Sequence, residues 1–333
     1  MSYLQKPSYY TISLVVVLLL PFTILFASFL LPFSAYLRGP PPIAAGSVVA
    51  GGCRHGTADG GGGGGGGGGV RPEISILVGV HTMAKKHSRR HLVRMAYAVQ
   101  QTAALRGAAR VDVRFALCAR PMPPEHRAFV ALEARAYGDV MLIDCDESPD
   151  KGKTYDYFAG LPAMLSSGGG GGEGRPYDYV MKVDDDTYLR LDALAETLRR
   201  APREDMYYGA GLPFLDKESP PFMLGMGYVL SWDLVEFVVL EYVIVLDSFL
   251  WDRGSSAEDV TTGTWLNMGN KAKNRVNIFP RMYDFKGVKP EDFLEDTIGV
   301  HQLKQDLRWA QTLEHFNVTW LDPSSKMTNS LLS

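Results

Sequence analysis

The chain has 333 residues, of which 46% are hydrophobic and 21% are charged, so it can bury one sizeable core. Its formal net charge of -3 at pH 7 lacks the basic surplus that is typical of nucleic-acid-binding proteins. We therefore expect no nucleic-acid partner.

The N-terminal region carries a long apolar run. Residues 11–36 contain no charged side chain and consist mainly of Leu, Val, Ile, Phe and Ala, whereas a membrane span requires about 20 such residues. We predict a cytoplasmic tail at residues 1–10 and an uncleaved transmembrane signal anchor at residues 11–37. A cleaved signal peptide, with the small residues 44–46 at its cleavage site, is the alternative. The flanking charges favour neither orientation strongly, and we expect a single-pass type II protein.

Composition changes sharply after the apolar run. Residues 38–70 are rich in Gly and Pro and include the glycine run 60–69, which cannot offset the entropy of ordering, so we predict a flexible stem. A folded domain is expected at residues 71–322, followed by a C-terminal tail at residues 323–333. The tripeptide Asn-Val-Thr at residues 317–319 is an N-glycosylation acceptor, which supports a lumenal position for the folded domain.

Strand and helix patterns alternate from residue 74 to residue 186, which predicts an α/β protein with a mostly parallel central sheet. Cys118 and Cys145 each end an apolar run, so a disulfide between adjacent strands and two buried free thiols are both open. Strands are predicted at residues 74–80, 111–117, 139–144 and up to 184, and helices at residues 91–105, 124–136, about 153–165 and 237–251.

The fourth predicted strand runs into three consecutive carboxylates, Asp184, Asp185 and Asp186. Carboxylates this close repel one another unless they are solvated or neutralised, and a hard divalent cation neutralises them well. Ligands of open α/β sheets bind at the carboxyl ends of the strands, where a cation can hold a diphosphate. A solvated turn is the alternative. An EF-hand is excluded, because Leu189 and Ala195 stand where its loop requires Gly and Glu.

Further motifs follow in a fixed order. KVDDD at residues 182–186 is followed by GMGYVLS at 225–231 and EDVTTG at 258–263. Together they make residues 71–320 similar to the inverting beta-1,3-galactosyltransferase family of Golgi type II enzymes, which is related to Fringe-like N-acetylglucosaminyltransferases. Earlier blocks that resemble the same family are Arg89-Arg90 with Arg94, Tyr137-Gly138-Asp139, and Lys153-Thr154.

The resemblance implies a GT-A type nucleotide-sugar-binding fold with an inverting reaction centre. It places Asp186 and Asp184 on a cation, with His301 as a further ligand; imidazole suits Mn²⁺, and Mg²⁺ is the alternative. It also implies that Asp259 is the general base that takes the proton of the acceptor hydroxyl. An N-cap role for Glu258 or Asp259 is the structural alternative.

The resemblance further implies a UDP-sugar as donor. The exit of the first strand meets the uracil and ribose in GT-A folds, which makes Val80, His81 and Arg90 donor-site candidates. Asp184 and Asp185 are expected near the ribose or behind the cation. Aromatic side chains that could stack on an acceptor sugar, or else fill the core, are Trp232, Trp251, Trp265 and Tyr228.

These interpretations predict a metal-dependent inverting glycosyltransferase in the Golgi membrane, with its catalytic domain in the lumen. It is expected to move a hexose, galactose first and N-acetylglucosamine next, from a UDP-sugar to a glycan or glycoprotein acceptor in beta-1,3 linkage. One alternative is a catalytically silent sugar-binding or scaffold protein of the same fold. Another is a membrane-tethered metal-dependent phosphohydrolase, although two-metal sites normally need more carboxylates than can be placed near the acidic triplet.

Overall fold

The structure, a computed structural model, describes residues 72–148, 152–166, 175–212, 220–239, 257–285 and 293–318. The predicted cytoplasmic tail, signal anchor, stem and C-terminal tail lie outside these residues, as does most of the helix predicted at 237–251. Over the described ranges, no helix combines the length and the apolar character needed to cross a bilayer.

Strands and helices alternate through the first half of the domain, as predicted. The strands are β1 (Ile74–His81), β2 (Ala109–Arg120), β3 (Val140–Asp146), β4 (Tyr179–Asp184), β5 (Tyr188–Leu189), β6 (Met206–Leu212), β7 (Phe222–Ser231), β8 (Asn274–Asn277), β9 (Met282–Asp284) and β10 (Gly299–His301). The helices are α1 (His87–Ala98), α2 (Ala103–Ala108), α3 (Pro124–Tyr137), α4 (Lys153–Ser166), α5 (Leu191–Arg199), α6 (Trp232–Val238), α7 (Glu258–Met268) and α8 (Asp306–His315).

The central sheet has the strand order β3-β2-β1-β4-β7-β6-β8. Four of its neighbouring pairs are parallel, namely β3 with β2, β2 with β1, β1 with β4, and β6 with β8. Strand β7 runs antiparallel to both β4 and β6. The central sheet is therefore mixed, but most of its pairs are parallel, which confirms the prediction of a mostly parallel sheet.

Side chains of the central strands alternate between two hydrophobic cores. In β1, Ile76 and Val78 belong to one core, which includes residues of α1, α5 and α8, whereas Leu77 belongs to the other, with residues of α4, α6 and α7. This alternation follows from the two-residue period of a strand and requires helices on both faces of the sheet. The near-continuous burial of β1 fits its central position.

The helix predicted at residues 91–105 is two helices, α1 and α2, which begin earlier and end later than predicted. The break is local: the Thr102 hydroxyl accepts a hydrogen bond from the Leu105 amide (3.2 Å) and starts a new helix as its N-cap. Cys118 of β2 and Cys145 of β3 form a disulfide between adjacent strands.

A smaller sheet of order β5-β10-β9 lies close to the acidic triplet. Strand β5 begins two residues after Asp186 and pairs antiparallel with β10, with Tyr188 opposite Val300. Strand β10 pairs in parallel with β9, so that His301 stands beside Asp284. This small sheet brings the C-terminal part of the domain to the end of β4.

Candidate active site

The carboxyl ends of β1 and β4 lie side by side, because the parallel register pairs His81 with Asp184. A cavity of about 420 Å³ opens at this edge of the sheet, where ligands of open α/β folds bind. Its lining mixes carboxylates with ammonium groups. The lining residues are His81, Thr82, Met83, Lys86, Glu147, Lys153, Thr154, Lys182, Asp184, Asp185, Asp186, Gly225, Ala257, Glu258, Asp259 and Lys304.

A set of potential cation ligands stands at the end of β4. Asp184, Asp186 and His301 each offer one ligand atom, and these atoms lie within 4.8 Å of one another. His301 Nε2 is 3.3 Å from Asp186 Oδ1 and 3.7 Å from Asp184 Oδ2. Two carboxylate oxygens and an imidazole nitrogen suit Mn²⁺, while Mg²⁺ prefers oxygen ligands alone.

Backbone contacts fix the turn that carries these acids. The Leu303 amide donates to the Asp186 carbonyl (2.9 Å), which ties the segment after His301 to the triplet. On the other side, the Tyr97 hydroxyl of α1 donates to the Thr187 carbonyl (2.7 Å). The acids therefore lie in a turn held from two sides rather than in a free loop.

His301 and Asp186 shift each other's pKa. Burial lowers the pKa of His301, but hydrogen bonding and attraction from Asp186, together with Asp284 and Asp184, outweigh it and raise the pKa overall. Burial raises the pKa of Asp186, but the hydrogen bond and charge of His301 outweigh it and lower the pKa overall. A proton on the His301 imidazole thus offsets part of the negative charge of Asp184 and Asp186, and a bound divalent cation would take over that role.

Lys182 connects the cation-binding set to the start of α7. Its buried ammonium lies 2.8 Å from Asp184 Oδ1 and 2.5 Å from Glu258 Oε1, and it donates to the Gly225 carbonyl at 2.5 Å. Burial disfavours the charged form of Lys182, but attraction to Asp184 and Glu258 outweighs burial and raises the pKa. Burial raises the pKa of the Glu258 carboxyl even beside this ammonium. Lys182 is therefore protonated and shared between two acids.

The two acids that begin α7 have different surroundings. Glu258 also accepts hydrogen bonds from the hydroxyls of Tyr228 (2.9 Å) and Thr154 (3.0 Å), so its carboxylate is fully engaged. Asp259 accepts from the backbone amides of Gly225 (2.8 Å) and Val260 (2.8 Å) and lines the cavity.

The N-cap alternative for these acids is wrong. Ala257 occupies the N-cap position of α7, and Glu258 and Asp259 lie in the first turn of the helix. The Glu258 carboxylate is instead engaged by groups of other elements, and Asp259 accepts from Gly225 of β7 and from its neighbour Val260. Each oxygen of Asp259 keeps a lone pair that can accept a further hydrogen bond.

Three buried polar atoms without a hydrogen-bond partner lie at the cavity. Over the described residues, His81 Nε2, Thr82 Oγ1 and Asp185 Oδ2 have none, and all three residues line the cavity. Burial and then the charges of Lys182 and Lys153 hold the pKa of His81 well below its usual value, so its imidazole is neutral. Because unpaired buried polar atoms are costly, these three fit a polar ligand.

Two donor-site candidates lie elsewhere. Val80 is fully buried in the hydrophobic core, because its side chain points to the core face of β1. Arg90 is fully buried in α1, where it forms an ion pair with Glu133 (2.7 Å). Arg90 also donates to the carbonyls of Met83 (2.5 Å) and Ala84 (3.1 Å), so it holds the backbone of a cavity segment instead of lining the cavity.

The aromatic candidates for acceptor stacking are core residues where the structure describes them. Trp232, Trp265 and Tyr228 are all buried, and Tyr228 is engaged with Glu258. Trp251 lies outside the described residues. Asn317 is exposed after α8, as a glycosylation acceptor must be, whereas the threonine of its tripeptide lies outside the described ranges.

Sequence reasoning gave no role to Lys182 or to Asp284, which contacts His301. A lysine within the apolar strand β4 was a signal that could have been used, because a buried lysine requires a partner. Asp284 had no local signal, since its contact with His301 depends on the pairing of β9 with β10. Lys86, which lies 2.9 Å from Asp185, was also missed.

The potential cation ligands lie at the carboxyl end of β4 and on β10 of the small sheet, at the edge where open α/β sheets bind ligands. The galactosyltransferase family model matches residues 88–214 of this chain. This match and the relatives agree with the family, and with the enzyme class, a glycosyltransferase, that the motifs predict.

Three individual proteins are similar to this chain. Beta-1,3-galactosyltransferase 6 of Mus musculus is 29% identical over 216 residues, which cover 56% of this chain and 61% of the mouse protein. Beta-1,3-galactosyltransferase pvg3 of Schizosaccharomyces pombe is 25% identical over 289 residues, which cover 69% of this chain and 71% of the yeast protein. The solved galactosyltransferase LgtC, in complex with donor and acceptor sugar analogues, is 12% identical with a TM-score of 0.44, covering 75% of this chain and 98% of LgtC.

Proposed function

We propose that this protein is a metal-dependent inverting glycosyltransferase of GT-A type that transfers a hexose from a UDP-sugar to a glycan or glycoprotein acceptor in beta-1,3 linkage. Galactose is the expected sugar, because both relatives compared above are named as beta-1,3-galactosyltransferases. N-acetylglucosamine is the second candidate.

One observation carries this proposal: a single cavity is lined by two of the three potential cation ligands and, on a separate element, by a carboxylate that can accept a proton. Asp184 and Asp186 lie on its β4 side and Asp259 lies on its α7 side. Lys182 and Gly225 join the two sides through direct hydrogen bonds. A solvated acidic turn would not need such a frame.

The base has a defined environment. Inverting transfer requires a group that accepts the proton of the acceptor hydroxyl as the new bond to the sugar forms. Both oxygens of Asp259 accept backbone hydrogen bonds, which orient the carboxylate, and the remaining lone pairs are available to that hydroxyl. These contacts support Asp259 as the general base of the proposed reaction.

The donor end offers ligands for a nucleotide diphosphate. A divalent cation held by Asp184, Asp186 and His301 would supply positive charge to the departing diphosphate. His81, Thr82 and Asp185 have unpaired polar atoms that suit hydroxyl and ring groups of a nucleoside. Asp185 can accept from a hydroxyl, and the Thr82 hydroxyl can donate or accept.

We also propose that the protein is a single-pass type II protein of the Golgi membrane, with the folded domain at residues 71–322 in the lumen. The uncharged run at residues 11–36 supports an anchor. The disulfide between Cys118 and Cys145 supports an oxidising compartment. Protease protection and light microscopy of the tagged full-length protein test this part.

A transfer assay tests the reaction. The full-length protein in detergent is incubated with UDP-galactose or UDP-N-acetylglucosamine and a panel of glycan acceptors, with manganese and with a chelator. We expect sugar transfer that requires the cation, and a beta-1,3 linkage by NMR of the product. Tight sugar binding without turnover would identify a silent family member, and phosphoester hydrolysis without transfer would identify a phosphohydrolase.

A further inference from the structure

We propose that Asp284 is a positioning residue for His301: it fixes the imidazole so that Nε2 faces the cation shared with Asp184 and Asp186. The inference rests on the proposed function, because it concerns the cation that this function requires. Asp284 lies 98 positions after Asp186 in the sequence, by subtraction of the residue numbers, and belongs to no motif of the acidic triplet.

The contact is direct and directional. His301 Nδ1 lies 2.7 Å from Asp284 Oδ1. A carboxylate accepts but does not donate, so the shared proton is on Nδ1 and the Nε2 lone pair can serve as a ligand. On that side, Asp186 Oδ1 is 3.3 Å away and Asp184 Oδ2 is 3.7 Å away. The ring thus presents one nitrogen to Asp284 and the other to the cation-binding acids.

The backbone pairing of two strands fixes the position of Asp284 relative to His301. Parallel pairing of β9 and β10 places Asp284 beside His301, and the Phe285 amide donates to the His301 carbonyl at 2.8 Å. The Asp284 carboxylate therefore approaches from a fixed neighbouring strand. Carboxylates that hold metal-bound histidines in this way orient the ring and increase its basicity as a ligand.

Exposure argues against a mainly stabilising role. The Asp284 side chain is 45% exposed, and over the described residues its ion-pair partner is His301. Exposed ion pairs contribute little to folding. A change at Asp284 should therefore alter cation affinity far more than it alters resistance to unfolding.

Direct cation binding tests the proposal without using catalysis. Free Mn²⁺ is measured by electron paramagnetic resonance while full-length wild type, Asp284→Ala and Asp284→Asn are titrated. We expect Asp284→Ala to weaken Mn²⁺ binding about 10- to 100-fold. Asp284→Asn should weaken it less, because the amide oxygen can still accept the Nδ1 proton. Pulsed spectra of bound Mn²⁺ should show weaker coupling to imidazole nitrogen in Asp284→Ala.

A neighbouring carboxylate supplies the control. Asp296 is 60% exposed and lies 2.8 Å from Arg281, a residue outside the cation-binding set. Asp296→Asn should bind Mn²⁺ like wild type, and urea unfolding should give similar midpoints for it and both Asp284 variants.

The outcomes separate the two proposals. Wild-type affinity in Asp284→Ala, with weak binding in His301→Ala, would overturn the role of Asp284 and leave the proposed function standing. Wild-type affinity in both His301→Ala and Asp186→Ala would overturn the cation site itself, and the role of Asp284 with it.

Discussion

At the scale of single residues, Lys182 is the buried charge on which both sides of the cavity depend. Its ammonium contacts Asp184 at the cation-binding set and Glu258 at the start of the base-bearing helix. A buried ion pair costs desolvation, and removal of one partner leaves the other as an uncompensated charge. The same residue therefore affects folding and the geometry of the site.

Lys182→Met should destabilise the fold by about 3 to 5 kcal/mol, because Glu258 would remain buried without its counter-charge. Urea unfolding measures this loss. Adding Glu258→Gln to Lys182→Met should recover part of the loss, since the unpaired charge is then removed. Lys304→Met, at an exposed lysine of the same cavity, serves as the control and should change stability little. Equal losses in the two lysine variants would contradict this account.

Asp259→Asn should reduce the transfer rate by roughly 100- to 10,000-fold, because an amide cannot take the acceptor proton. UDP binding in the presence of Mn²⁺ should remain close to wild type, because Asp259 is not part of the cation-binding set. Calorimetry and a transfer assay separate the two effects. Asp306→Asn, at the exposed start of α8, is the matched control. Transfer at the normal rate by Asp259→Asn would assign the base role to another group.

The acidic triplet could be found from the sequence, because it forms a contiguous block of acids at the end of a predicted strand, whereas the base role of Asp259 came from the family resemblance. His301 needed a family resemblance, since a lone histidine carries no local signal. Asp284 could not be found, because its role depends on a register between two three-residue strands. Arg90 was also predicted at the donor site, whereas it is buried in α1 and paired with Glu133.

At the scale of elements, the position of α7 depends on a close approach to the start of β7. A Cβ at Gly263 would lie 2.5 Å from Phe222 Cβ and 2.6 Å from the Pro221 carbonyl oxygen. No such contact is tolerated without movement, so only glycine lets the helix pack at this distance. The first turn of this helix carries Asp259.

Gly263→Ala should cost about 1 to 3 kcal/mol of stability, because the added methyl group overpacks the contact with β7. It should also slow transfer, since a shift of α7 moves Asp259. Urea unfolding and the transfer assay measure the two effects. Gly107→Ala is the control: a Cβ at Gly107 meets no heavy atom within 4 Å, so alanine should stabilise helix α2 by about 0.5 to 1 kcal/mol. A gain of stability in Gly263→Ala would contradict the packing argument.

At the scale of the whole molecule, the parallel half of the sheet follows from alternating strand and helix patterns, and it was predicted. The antiparallel pairing of β7 with β4 and β6 was not predicted, and neither was the small second sheet. Their partners come from distant parts of the chain, as in the pairing of Val183 with Gly227, and such pairings have no local signature. Nevertheless, β1 and β4 are buried along nearly their whole length, so helices are expected on both faces of the sheet.

Stability should depend on pH through Asp156. Burial, and then repulsion from Asp144, raises the pKa of Asp156 to about 6, although Arg120 opposes this. Because the folded state holds the proton more tightly than the unfolded chain, the contribution of this group is present below about pH 4 and is lost as pH rises to about 6.

Asp156→Asn mimics the protonated form and should remove this loss. The free energy of unfolding of Asp156→Asn, relative to that of wild type, should be about 1 kcal/mol higher at pH 7.5 than at pH 4. This figure is reduced because Asp156 is partly exposed. Thermal unfolding at both pH values measures the difference. Asp192→Asn, at an exposed acid of α5, should show no such change. A gain in Asp156→Asn that is equal at both pH values would argue against titration of this group.

The shared ammonium of Lys182 has a consequence for how such proteins diverge. If position 182 becomes neutral, the carboxylate at position 258 is left buried without its counter-charge, and if position 258 becomes neutral, Lys182 keeps only Asp184 as a partner. The two positions should therefore change together among descendants, or not at all. Members that have lost catalysis should be recognisable by joint loss of this pair before the surrounding apolar core changes.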